Sequence, residues 1–370
     1  MIINLKSQTD LSGFYIVYEG STNLEKPGWY GVSHLGEHLV CKLFDNLRDD
    51  FQKYSIDWNA YTSNNEVVFY FTGLEECLSK YRHKIIELMQ NFTITKEQFE
   101  NEKKIVLQEY SDYFSDQTES HSLNLSRKMF RNFDPIGTRE DLEALRWIDF
   151  LNFYDLQYSN PTKIINVSSS TKFEDSSIEF SNKIFDKRFE QGPFDDVKLE
   201  KMHDYGDKES IFVISPLIEE DYPYIMFINQ MLSSGLSSPL YKEIREKRGL
   251  VYYIRMSMSR MNKQGVNGIT TQTTSDNVEE LKEAINYVFT NPKEFLTKDR
   301  LETIRESTLV RMKKEKITRF ANVSKWIQPK EWSIYEIVKT IDMDKVMDTF
   351  EKYFNIDDYY FSSDKDFLKK

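Results

Sequence analysis

The sequence predicts an α+β protein built from two homologous units. Three observations carry this: strands separated by pairs of helices, a recurrence of that order after a break between Asp186 and Lys198, and a residue match between the halves. Gly13–Gly20 (GFYIVYEG) reads as a strand because aromatic and β-branched residues dominate it. A loop with Pro27 and Gly28 leads into a helix expected over Ser33–Asp45. Trp58–Thr62 leads into a second strand at Glu66–Phe71, and Cys77–Phe92 has the period of an amphipathic helix. Thr95, with Gln98 three residues later, forms a capping box that opens a long helix holding Glu102 and Glu109. Asp134-Pro135-Ile136-Gly137 ends that helical region, and Lys163–Val167 is another strand.

The break contains Gly192-Pro193 and little apolar periodicity, so it is expected to be a linker. The expected organisation is therefore a first domain over 1–185, a linker over 186–198 and a second domain over 199–370. After the break come a strand near Ile211–Ser215, a helix over Tyr222–Leu232, strands near Val251–Met258 and Gly268–Thr273, and a helix over Val278–Phe289. Thr95-Lys96-Glu97-Gln98-Phe99-Glu100 aligns with Thr297-Lys298-Asp299-Arg300-Leu301-Glu302 at an offset of 202. That offset sets Arg311 opposite Glu109 and Ile304 opposite Glu102, and no histidine follows His203. Units of about 185 residues each mark a domain duplication rather than a short-repeat solenoid.

A net charge of -11 argues against a nucleic-acid partner, which a basic stripe would announce. Cys41 and Cys77 are the only cysteines, so no disulfide framework is expected; both read as small buried apolar residues. The first residues lack a signal-peptide pattern, and no apolar run approaches the ~20 residues of a membrane span. A cytoplasmic protein without membrane segments is expected.

His34-Leu35-Gly36-Glu37-His38 is the most informative stretch. Two histidines four apart on a helix face the same way and can reach one metal ion. Glu37 shares that face and can hold a water on the same ion. Glu109, 71 residues after His38, is a candidate oxygen ligand, with Glu102 the competing candidate. Three protein ligands with one open position distinguish catalytic zinc from a closed structural site. Glu102 lies two turns before Glu109 on nearly the same face, which suits a carboxylate that orients a ligand histidine. His83, His121 and His203 have no partner motif and are expected to be structural or exposed.

These residues resemble the insulinase-like (pitrilysin) family of zinc peptidases, whose H-x-x-E-H motif reverses the commoner H-E-x-x-H. The likeness extends to Asn59-Ala60-Tyr61-Thr62, similar to the start of the family's substrate-binding edge strand. It also extends to Glu102–Glu109, similar to its third-ligand helix, and to Ser237–Tyr252, similar to a second signature in which an arginine and a tyrosine seven apart help hold substrate. The chain departs from the family in being short, in a first strand trimmed to about Ile2–Leu5, and in Gly36, which is expected to loosen the metal helix slightly.

The resemblance implies half of a clamshell and one Zn2+ per chain on His34, His38 and Glu109, with Glu37 as general base. Asn59, Ala60, Arg245 and Tyr252 would bind substrate. The implied activity is endopeptidase cleavage of unfolded peptides or precursor segments. A homodimer is implied, with Arg245 and Tyr252 serving the partner's zinc. The alternative is a non-catalytic peptide-binding or scaffold member of the same fold.

Overall fold

The computed structural model describes all residues except 131–133, 183–193, 195, 219–220, 262–263, 319–322, 324–325, 328–333 and 369–370. The first sheet has five strands: β1 (Ile2–Lys6), β2 (Leu11–Glu19), β3 (Asp57–Thr62), β4 (Glu66–Leu74) and β5 (Lys163–Ser168). Their order is β1-β5-β2-β4-β3, antiparallel except for the β1–β5 pair. β3 is therefore an edge strand. Its even-numbered residues Trp58, Ala60 and Thr62 are half-buried, whereas Asp57, Asn59 and Tyr61 are exposed.

Helix α1 (Val32–Cys41) carries the histidine motif and tightens into a 3-10 turn over Lys42–Leu47, rather than running on as one helix to Asp45. It buries Val32, Leu35, Leu39 and Val40. Phe44 and Phe51, which follow it, stack edge-on against Phe71 of β4. The stretch expected as one helix over Cys77–Phe92 is a short turn, Glu75–Leu78, followed by α2 (Arg82–Gln90). At the restart, the buried Arg82 guanidinium is held by both oxygens of Glu75, at 3.0 and 2.6 Å. α3 (Lys96–Ser115) opens on the Thr95–Gln98 capping box, with the two reciprocal bonds in place. It ends at Asp116, whose carboxylate accepts the Glu119 amide and starts α4 (Gln117–Phe130). α5 (Trp147–Gln157) completes the helices around the first sheet. On another face of the sheet, Val17, Val68, Ile165 and Val167 pack with Val323.

The second sheet contains β6 (Lys208–Ile218), β7 (Ile254–Met261), β8 (Gln264–Thr274) and β9 (Tyr360–Ser363) in the order β7-β8-β6-β9, all antiparallel. This repeats the β3-β4-β2-β5 order of the first sheet, so the duplication read from residues is also one of topology. α6 (Tyr222–Ser233), α7 (Val278–Thr290) and α9 (Met343–Tyr353) bury their apolar stripes in one core, where Ile225, Ile228, Leu281, Ile285 and Phe350 meet; α8 (Lys298–Thr318) adds Leu301 and Ile304.

The chain crosses between units more often than a single cut would allow. One unit comprises Met1–Tyr113, Phe133–Lys187 and Glu315–Ile327; the other comprises Phe114–Asn132, Arg188–Lys314 and Gln328–Lys370. The division at 1–185 and 199–370 thus misses α4, which belongs with the second sheet. The reason is packing: Leu125, Met129 and Phe130 cluster with Ile214 and Phe367. Most of the expected linker, 186–193 and 195, lies outside the described residues. No described helix is long and apolar enough to cross a membrane.

Candidate metal centre

The site is built from the start of α1. Gly31 caps the helix with φ at +94°, and a Cβ there would lie 2.9 Å from the Ile136 carbonyl oxygen. The buried Glu25 carboxylate accepts the amides of Gly31 (3.1 Å) and Ser33 (2.9 Å), two of the donors that the first turn leaves open. Burial pushes the Glu25 carboxyl up to about 7, against the pull of those amides. Gly36 has a packing reason: a Cβ there would stand 2.5 Å from the Tyr158 ring. That ring is buried, and its hydroxyl donates to the Ser33 carbonyl at 2.6 Å. Gly36 thus permits close packing, in place of the expected loosening.

His34 and His38 stand one turn apart with ring centroids 4.7 Å from each other. Nε2 of His34 lies 3.1 Å, and Nε2 of His38 lies 3.5 Å, from the same Oε2 of Glu109 on α3. Ligand atoms at zinc-typical bond lengths of about 2.0–2.1 Å span tetrahedral edges of about 3.3 Å, which matches these two separations. One ligand atom from each of the three residues falls within 4.8 Å of the others, and no other such group of His, Cys, Asp or Glu occurs among the described residues. Two imidazoles and a carboxylate are a donor set that suits Zn2+.

Electrostatics agree with a cation site. Burial works against a charged His34 ring, yet the Glu109 and Glu37 carboxylates beside it raise its pKa to about 9. Hydrogen bonds from His34 and His38 hold the Glu109 carboxyl well below the usual carboxylate range.

Glu102 lies beside the His38 ring. Its Oε2 is 3.3 Å from Nδ1 of His38, which leaves Nε2 of that ring turned to Glu109. Lys42, one turn beyond His38, holds the other Glu102 oxygen at 2.8 Å. Glu37 is buried, with Oε2 3.6 Å from Nδ1 of His34, and accepts the Thr62 hydroxyl at 2.5 Å. Thr62, Lys42, Tyr158 and Glu25 were not singled out from sequence. Thr62 alone left a signal, since it shares a strand face with Ala60 two residues before it.

Asn59 and Ala60 lie on the β3 edge, paired on one side only, to Tyr70 and Phe69. In the second unit, the Arg245 guanidinium sits over the Tyr241 and Tyr252 rings at 4.7 and 4.8 Å. Tyr252 is 80% exposed although its sequence neighbours Leu250 and Val251 are buried, so it lies outside the core. Arg311, opposite Glu109 in the repeat, reaches Gln230 instead. Cys41 and Cys77 are half-buried and free rather than buried, and His121 is buried as a structural residue.

Two family models match the chain. One, described as insulinase (peptidase family M16), covers residues 7–136 and includes every candidate metal residue. The other, described as the peptidase M16 inactive domain, covers 181–308. An uncharacterized zinc protease of Rickettsia felis is 24% identical over 368 residues, covering 88% of this chain and 85% of that protein. A protease from Helicobacter pylori shares the fold with a TM-score of 0.79 at 14% identity, covering 98% of this chain and 96% of that one. A structure described as the peptidase M16 inactive domain from Pseudomonas fluorescens does so with a TM-score of 0.76 at 13% identity, covering 98% and 94%. With one model of the same family on each half, together spanning well over half of its length, the chain belongs to the insulinase-like M16 peptidase family.

Proposed function

We propose that the chain is a zinc-dependent endopeptidase that cleaves unfolded peptides or precursor segments. The observation that carries this is the convergence of the His34 and His38 Nε2 atoms on one Glu109 oxygen, with Glu37 alongside. His34, His38 and Glu109 would hold the ion, leaving it one net positive charge. The chemistry it would supply is acidification of a bound water toward a pKa of ~7 and polarisation of the scissile carbonyl. Glu37 takes the water proton on its carboxylate and passes it to the leaving amine. Glu102 and Lys42 fix the His38 ring. Substrate adds as a strand along the free side of β3 at Asn59 and Ala60, so it must be extended, and backbone pairing makes recognition largely blind to sequence. Arg245 and Tyr252, supplied by a second copy of the chain, would hold the peptide carbonyl from the facing wall.

The alternative, a peptide-binding scaffold without activity, draws on the match of residues 181–308 to a domain described as inactive. One experiment separates the two readings. Metal-quantified protein is incubated with a library of unstructured peptides and the products are identified by mass spectrometry. The enzyme reading expects cleavage, lost by about 10²–10⁴-fold in Glu37→Gln while zinc stays bound. Wild-type protein that binds zinc and peptides but cuts none would establish the scaffold.

A further inference from the structure

Resting on the peptidase reading above, we propose that Thr62 is a positioning residue whose hydroxyl locks the Glu37 carboxylate to the edge strand that receives the peptide. Thr62 is the last residue of β3, paired with Val67. Its Oγ1 donates to Oε2 of Glu37 at 2.5 Å, a short bond to a glutamate whose side chain is 11% exposed. Hydrogen bonds to charged, shielded acceptors are the strong ones. The bond anchors one carboxylate oxygen and fixes the plane of the group. A β-branched residue suits the task because its χ1 is stiff.

The placement joins two parts of the proposed reaction. Asn59 and Ala60 lie on the same six-residue strand as Thr62, and Ala60 shares its face. A peptide that pairs with β3 orders the strand that carries the donor to the base. The base and the peptide backbone are then held by one rigid element, the arrangement that lowers the cost of reaching a reactive geometry. Strand formation does not require a hydroxyl here: valine is close to threonine in shape and is also favoured in strands. What valine lacks is the donor to Glu37.

The test compares Thr62→Val and Thr62→Ser with wild type in three measurements. These are zinc affinity by chelator competition, binding of a labelled unstructured peptide to the zinc-free protein, and kcat and KM of the zinc-loaded enzyme. Thr62→Val is expected to bind zinc and peptide as wild type does and to keep its KM, while kcat falls about ten- to hundred-fold. Thr62→Ser recovers most of the loss. A wild-type kcat in Thr62→Val overturns the role, as does a serine variant no better than valine. A defect confined to KM and peptide binding, or accompanied by loss of zinc, makes Thr62 a plain strand residue and overturns it too. If zinc-loaded wild type cuts no peptide, the peptidase reading itself fails and takes this role with it. Cleavage by wild type that is indifferent to Thr62→Val sinks only the positioning role.

Discussion

Gly36 shows how two residue-scale effects compete. In isolation, alanine in a helix interior is better than glycine by about 1 kcal/mol. Here a Cβ would stand 2.5 Å from the Tyr158 ring, which is 1% exposed and tied to the Ser33 carbonyl. The ring cannot swing away without breaking that bond and disturbing the first turn of α1. Overpacking of this kind costs about 1–3 kcal/mol and outweighs the propensity gain. Gly36→Ala should therefore lower the denaturant midpoint of the zinc-free protein and weaken zinc binding, because the ligand helix must move. A raised midpoint would show that propensity wins and that the Tyr158 contact is slack. The His34–Glu37–His38 spacing was legible because it is local: one turn of helix sets it. Lys42 and Tyr158 were not, since their roles depend on Glu102 and Gly36, which only the fold brings to them.

At the scale of elements, α4 carries a buried switchable group. His121 is fully buried, with Nδ1 3.1 Å from the Ser210 hydroxyl and Nε2 2.9 Å from that of Ser362. Burial lowers its pKa from 6.5 to about 3, so the folded chain keeps the ring neutral. Between those values the unfolded chain binds a proton that the folded chain refuses. Stability therefore falls as pH drops through this window, by up to about 1.4 kcal/mol per pH unit from this group. Asp364 nearby has a raised pKa and works in the opposite sense, as does Glu25 in the first unit. The comparison of wild type with His121→Gln isolates the histidine. The variant should show a shallower loss of stability from pH 6.5 downward, read from urea midpoints across that range. Equal slopes in the two proteins would mean that His121 is protonated in the fold. The sequence disclosed the helical region but not its break at Asp116, nor that α4 leaves the first sheet for the second. Strand β9 escaped notice because only four residues long gives too few alternations to read.

At the scale of the whole molecule, the duplicated strand order leaves one unit with a candidate metal site and the other with a cation–π stack whose Tyr252 ring is exposed. Duplication was legible from the matched stretches at Thr95 and Thr297; the interleaving of the units was not, because it rests on contacts between distant segments. The proposed homodimer gives the half-buried Arg245 and the exposed Tyr252 a purpose: each copy would complete the other's site. A closed two-fold pair makes this quantitative. Glu37→Gln removes the base from one chain, and Arg245→Ala removes the substrate contact from the other, so each parent dimer is inactive. In a mixed dimer, the Arg245→Ala chain keeps its own base and receives an intact Arg245 from its partner, while the second site carries both lesions. Random mixing of equal amounts makes about half the dimers mixed, each with one working site, so about a quarter of wild-type activity should return. Subunit exchange is verified by mass spectrometry of differently tagged chains. Mixed dimers that stay inactive would place Glu37 and Arg245 of the same chain in one site, so that each site carries one lesion, and a chain that sediments as a monomer while cutting peptides would remove the need for a partner.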